Sequence, residues 1–81
     1  MKKDEIKKII SECCNDLIFI YDNKNAIITS TVSNYVPTFE ATYNGKSKKY
    51  NDVDDVMSDK FYNGKSVSDL SDMGIVTFTC A

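Results

Sequence analysis

Two strand-like runs joined by Asn44-Gly45 constrain the fold more than any other feature of this 81-residue sequence. A type I′ turn needs positive φ at both central positions, and Asn-Gly is the pair it prefers. A two-residue loop here sets Glu40 opposite Lys49 and Phe39 opposite Tyr50. An opposite-charge pair then lies on one face and an aromatic pair on the other, and both favour this register. The sequence therefore predicts an antiparallel hairpin with a fixed register.

A second hairpin is predicted upstream, where LIFIY and AIITST flank the polar segment DNKN. Runs rich in β-branched and aromatic residues on either side of a polar loop are typical of paired strands. A four-residue DNKN loop pairs Tyr21 with Ala26 and sets Phe19 opposite Ile28. Both faces of this hairpin are apolar, so we expect it near the centre of the sheet.

Two further stretches complete the predicted sheet. STVSNYVP is expected to be a polar connection, and the next strand begins after Pro37. Because proline cannot donate to a central ladder, it favours an edge position for that strand. The last segment, IVTFTC, alternates so that Val76, Phe78 and Cys80 face one side, and it is expected to insert beside an early strand.

Three segments have the hydrophobic period of helices. The first is predicted from Lys3 to about Cys14. The second follows an N-cap at Asn51 or Asp52. The third covers residues 67–73, begins with an S-x-x-D capping box and is ended by Gly74.

The predicted element order is α-β-β-β-β-α-α-β in a single domain spanning residues 1–81. Because the strands cluster instead of alternating with helices, the fold class is α+β. We expect a mainly antiparallel four- to five-stranded sheet, an N-terminal helix packed on one face, and two short helices before the last strand. The longest apolar run, Leu17 to Tyr21, is far shorter than the about 20 residues of a membrane span.

Charge and composition argue against two broad functions. The net charge is −2, with neither arginine nor histidine in the chain. Nucleic-acid binding needs clustered cations, so direct binding to nucleic acid is not expected. Serine and cysteine nucleophiles lack histidine, their commonest activating base, so an enzyme is not expected either.

The pentapeptide YNGKS occurs twice, at residues 43–47 and 62–66, and its GKS invites comparison with a phosphate-binding loop. That loop needs a glycine five positions before the one that precedes lysine. The residues at those positions are Glu40 and Asp59. We therefore interpret the first copy as a hairpin turn and the second as a turn between helices.

The three cysteines are an odd number and are expected to be reduced thiols in a cytoplasmic protein. The simplest interpretation makes them small core residues, and no cofactor is expected. The alternative is a metal site in which Cys13, Cys14 and Cys80 converge with an aspartate as fourth ligand. Zinc is then the leading candidate.

An acidic stripe is the remaining candidate site. Residues 51–81 hold six aspartates and two lysines. A solvated helix face explains such a stripe, and so does a docking surface for a basic protein partner. In the second interpretation an aromatic residue between the two helices anchors the contact. At helical spacing Asp52, Asp55 and Asp59 are predicted to share one exposed face of the second helix, and Asp69 and Asp72 lie on the third. The candidate partner-binding residues are Asp52, Asp55, Asp59, Tyr62, Asp69 and Asp72.

The segment DDVMSDKFYNGKSVSDL resembles a segment of small proteins from phages and mobile elements of Gram-positive bacteria. The overall plan, an acidic α+β domain of this size without catalytic groups, is similar to that of anti-CRISPR inhibitors of Cas9. The resemblance implies a protein that acts in the bacterial cytoplasm by blocking a CRISPR effector nuclease. It assigns no binding residues. The alternative function is a small zinc-stabilised structural or interaction module of a mobile element.

Overall fold

The computed structural model describes residues 2–12 and 16–80, and its elements follow the predicted order. The five strands form one antiparallel sheet in the order β4-β3-β2-β1-β5, and the helices pack on one of its faces. The prediction of an α+β fold is therefore confirmed. The elements are α1 (Lys3–Ser11), β1 (Leu17–Tyr21), β2 (Lys24–Ser33), β3 (Val36–Tyr43), β4 (Lys46–Tyr50), α2 (Val53–Ser58), α3 (Val67–Met73) and β5 (Thr79–Cys80).

The β3–β4 hairpin has the predicted register. Glu40 lies opposite Lys49, and Phe39 lies opposite Tyr50. Asn44 and Gly45 have φ values of 52° and 78°, as a type I′ turn requires. The turn chemistry and the cross-strand pairs thus specify the same structure, which explains why this prediction is confirmed.

The predicted register of the β1–β2 hairpin is wrong by two residues. Phe19 pairs with Ala26 instead of Ile28, because the loop contains only Asp22 and Asn23. These two residues have φ values of 54° and 59°, so they form a two-residue turn and the next two residues join β2. A shift of two residues keeps every side chain on its predicted face of the sheet.

The predicted connection between β2 and β3 is instead a continuous hairpin. β2 extends to Ser33, the chain turns at Asn34 and Tyr35, and β3 begins before Pro37. Tyr35 has a φ of 65°, a left-handed conformation that costs a non-glycine residue about 1–2 kcal/mol.

The prediction that proline places β3 at an edge is also wrong, because β3 lies between β2 and β4. Pro37 pairs with Val32 of β2, one step beyond the pair that flanks the turn. In an antiparallel hairpin this step is not hydrogen-bonded, so the proline nitrogen faces away from β2. On that side β4 has ended at Tyr50, opposite Phe39, and no donor is needed.

The helices begin and end close to the predicted residues. α1 ends at Ser11, earlier than predicted, and Cys13 and Cys14 lie outside the described residues. α3 spans residues 67–73 as predicted, and Ser66 and Asp69 form the capping box in full. The second YNGKS copy is a tight turn before this cap, as predicted.

The last strand is shorter than predicted. Only Thr79 and Cys80 pair with β1, although the strand does lie beside an early strand as expected. Phe78 is buried, and its ring centroid lies 4.8 Å from that of Phe19. The segment before β5 is therefore attached to the core by a side chain instead of by backbone pairing. Cys80 lies opposite the buried Leu17 and so faces the same side as Phe78, as predicted. It is exposed, however, so the interpretation of this cysteine as a core residue is wrong.

One core fills the space between the helices and the sheet, and no described element covers the opposite face of the sheet. α1 buries Ile6 and Ile10 against the sheet, and α3 buries Leu70. On the opposite face of β1, Ile18 and Ile20 are exposed. Within the described ranges, no helix has the length and the apolar character that crossing a membrane requires.

Candidate functional site

The first turn of α2 carries an exposed group of aspartates. Asp52 is the N-cap, and its carboxylate accepts a hydrogen bond from the backbone N–H of Asp54 at 2.8 Å. Carboxylates here also complement the positive end of the helix dipole. Asp54 forms a salt bridge with Lys7 of α1 at 2.6 Å, whereas Asp55 forms none with any described residue. Asp55 therefore offers a carboxylate to a cation from another molecule.

Asp59 lies just beyond α2, and two side chains of β4 hold its carboxylate. Lys48 Nζ and Tyr50 Oη each donate a hydrogen bond to Asp59 Oδ2 at 2.7 Å. The bond from Lys48, followed by the bond from Tyr50, lowers the pKa of Asp59 below its ordinary value. Burial, followed by the bonded carboxylate, raises the pKa of Tyr50. Asp59 is therefore an anion at neutral pH, which suits ion pairing better than proton transfer.

The prediction that Asp52, Asp55 and Asp59 share one helical face is wrong for Asp59. The helix ends at Ser58, and Asp59 has an extended backbone with ψ of 130°. Its carboxylate turns towards β4 and is more buried than those of the α2 aspartates, since 31% of the side chain is exposed.

Asp55 and Asp59 nevertheless line the same cleft, which lies between α2 and β4 and has a volume of about 560 Å³. Its walls are polar, and the aromatic ring of Tyr50 lies on one side with Lys48 Nζ 5.5 Å from the ring centroid. Because Lys48 already pairs with Asp59, Asp55 is the carboxylate of this cleft that is left for a lysine or arginine side chain. The lining residues are Lys48, Lys49, Tyr50, Asn51, Asp55, Ser58 and Asp59.

Tyr62 is not the exposed anchor that the sequence predicted. Only 1% of it is exposed, and its ring contacts those of Phe19, Tyr43 and Phe61 at centroid distances of 5.2, 5.4 and 5.3 Å. The backbone groups of Tyr62 and Lys65 bond to each other across the Asn-Gly turn, at 2.9 and 3.0 Å, and close it. This turn directs Tyr62 into the core, where burial raises the pKa of its hydroxyl.

The two α3 aspartates already have partners within the chain. Asp69 accepts a hydrogen bond from the backbone N–H of Ser66 at 3.0 Å and one from Lys60 Nζ at 2.7 Å. The bond from Lys60, followed by those from Ser66, lowers the pKa of Asp69 to about 2. Asp72 forms an exposed salt bridge with Lys3 at 3.1 Å. Asp69 therefore has a structural role, while Asp72 remains on the surface.

Only one of the three cysteines lies in the described part of the chain. Cys80 is an exposed free thiol on β5, opposite Leu17 of β1. Residues 2–12 and 16–80 contain no group of three metal-binding side chains. Cys13 and Cys14 fall outside those ranges, so the predicted zinc site is not tested by them.

The contributions of Lys48 and Tyr50 were missed in the sequence, although the hairpin register contained a signal for them. Residues two apart on a strand share a face, so placing Tyr50 on the core face also places Lys48 on it. A lysine at the rim of the helix-covered face can lay its methylene stem along that face and reach a carboxylate of the adjacent segment with its ammonium group. Asp59 was not recognised as that partner because it was assigned to the helix.

Comparisons with known proteins gave no match to a family model, to a curated protein or to a solved structure.

Proposed function

We propose that this chain is a small, non-enzymatic inhibitor that binds a protein with a basic surface. The proposed partner is a nucleic-acid-processing machine, most specifically a CRISPR effector nuclease such as Cas9. The observation that carries the proposal is the unpaired Asp55 carboxylate, which stands beside Asp52 on α2 and lines the cleft with Asp59.

The electrostatics of the proposed contact favour such a partner. Proteins that hold nucleic acid present clustered lysine and arginine side chains to its phosphates. An exposed carboxylate surface meets those cations, speeds association and competes for the same channel.

A DNA-cleavage assay with purified Cas9, its guide RNA and a linear target tests the proposal. The expected result is inhibition that grows with inhibitor concentration and saturates near one inhibitor chain per effector. Added salt should weaken the inhibition, because the contact is electrostatic and exposed. Full cleavage at a large excess of the folded protein, with no binding to the effector complex, would refute the proposal.

The second candidate function is a zinc-stabilised structural module of a mobile element. It is favoured by Cys80, whose exposed free thiol on β5 is accessible as a metal ligand. Elemental analysis decides between the two candidates: about one zinc per chain, lost in Cys80→Ser, supports this module, and a metal-free folded protein eliminates it.

A further inference from the structure

The β2–β3 hairpin extends past its neighbours in the sheet. β1 pairs with β2 only as far as Ile28, and β4 pairs with β3 only as far as Phe39. Beyond these positions residues 31–38 form a two-stranded ribbon that pairs with no other described strand. We refer to residues 31–38 as the ribbon.

The turn at the end of the ribbon differs from the other described two-residue turns in the type of residue at its second position. Among the described residues four two-residue turns have positive φ at both positions, and their second residues are Asn23, Tyr35, Gly45 and Gly64. Asparagine and glycine tolerate this conformation, whereas tyrosine is strained in it. Tyr35 is also 99% exposed, so packing within the described chain does not compensate for the strain. A strained residue without an internal benefit indicates a function outside the molecule.

The exposed side chains of the ribbon indicate what kind of surface it can contact. Val32 and Val36 are 58% and 56% exposed, and Val32 lies opposite Pro37. No residue from Ser30 to Thr38 is charged, although charged residues make up 27% of the chain. The ribbon is therefore a protruding, uncharged tip with three exposed apolar side chains, those of Val32, Tyr35 and Val36, unlike the carboxylate surface of α2.

We propose that this tip inserts Tyr35 into an uncharged apolar pocket on the protein partner, with Val32 and Val36 against the pocket rim. The inference rests on the proposed function for the identity of the partner, and it adds a contact distinct from the α2 carboxylates. A buried tyrosine at the centre of an interface contributes a large, rigid contact area at low entropic cost. A lipid surface suits the tip less well, because peripheral membrane binding relies on lysine or arginine beside the apolar residues and the ribbon has neither.

The test compares Tyr35→Gly with Asn23→Gly. Both substitutions place glycine at the second position of a two-residue turn, at opposite ends of the sheet. The measurements are the melting temperature, the affinity for purified Cas9 with its guide RNA, and co-sedimentation with phosphatidylcholine vesicles. Tyr35→Gly should raise the melting temperature, since glycine relieves the strain, and should weaken binding at least tenfold. Asn23→Gly should bind like the wild type.

The outcomes separate this inference from the proposed function. If the wild type binds and Tyr35→Gly binds equally well, the tip inference is overturned while the proposed function stands. If the wild type binds vesicles and Tyr35→Gly does not, the proposal of a protein pocket is contradicted, and the surface that Tyr35 contacts is a lipid surface. If the wild-type protein does not bind the effector complex at all, the proposed function fails and this inference fails with it.

Discussion

The hydroxyl of Tyr62 is a buried polar group that has no hydrogen-bond partner among the described residues. Leaving such a group unsatisfied costs about 1–3 kcal/mol. Tyr62→Phe keeps the ring contacts with Phe19 and Tyr43 and removes only the hydroxyl. We therefore expect the free energy of unfolding to rise by about 1 kcal/mol, as measured by urea denaturation at neutral pH.

Tyr43→Phe is the matched control for this measurement. The Tyr43 hydroxyl donates a hydrogen bond to the carbonyl oxygen of Tyr21 at 3.0 Å, so the same chemical change should destabilise the fold there. A stability loss at both positions would contradict the account of Tyr62 and would indicate that its hydroxyl is hydrogen-bonded in solution.

At the scale of single elements, α3 depends on the ionised form of Asp69. Its pKa is lowered to about 2 in the folded chain, against an ordinary value near 3.9 in an unfolded one. A carboxyl with a depressed folded pKa stabilises the fold above its unfolded pKa. This stabilisation is lost as the pH falls towards the folded pKa. The contribution is therefore complete above about pH 4 and disappears on the way to about pH 2.

Asp69→Asn should consequently be less stable than the wild type at pH 7 and should approach it at pH 2. Urea denaturation at both pH values measures the difference. Asp55→Asn is the control, since the Asp55 side chain makes no hydrogen bond or salt bridge with the described residues. An Asp69→Asn deficit that is equally large at both pH values would contradict an electrostatic role for the Asp69 carboxylate.

The elements that the sequence predicted well are those in which local and non-local signals agree. The Asn44-Gly45 turn and its cross-strand pairs are independent signals for one register, and Ser66 and Asp69 form both halves of one capping box. Signals were weaker at DNKN, where any of three adjacent residue pairs could form the turn. The Asn34-Tyr35 turn was missed because tyrosine is not a turn residue by propensity.

At the scale of the whole molecule, hydrophobic periodicity predicted the order of the elements and the α+β class. The candidate site was less predictable, because its geometry depends on lysines from distant parts of the chain. Lys48 of β4 binds Asp59, and Lys7 of α1 binds Asp54. The spacing of the aspartates within residues 51–72 does not indicate which of them form salt bridges with lysines from other elements. The sequence therefore indicated an acidic surface, but not that Asp52 and Asp55 are its members without a salt bridge to a described lysine.

The central claim, that the α2 carboxylates bind the partner, is tested most directly by titration of purified Cas9 and its guide RNA with two double variants. Asp52→Asn with Asp55→Asn neutralises the proposed surface and keeps the N-cap, since asparagine caps as well as aspartate. Asp22→Asn with Glu40→Gln removes the same charge from the β1–β2 turn and from β3. We predict at least tenfold weaker binding for the first variant and nearly unchanged binding for the second. Equal affinities of the two folded variants would contradict the claim.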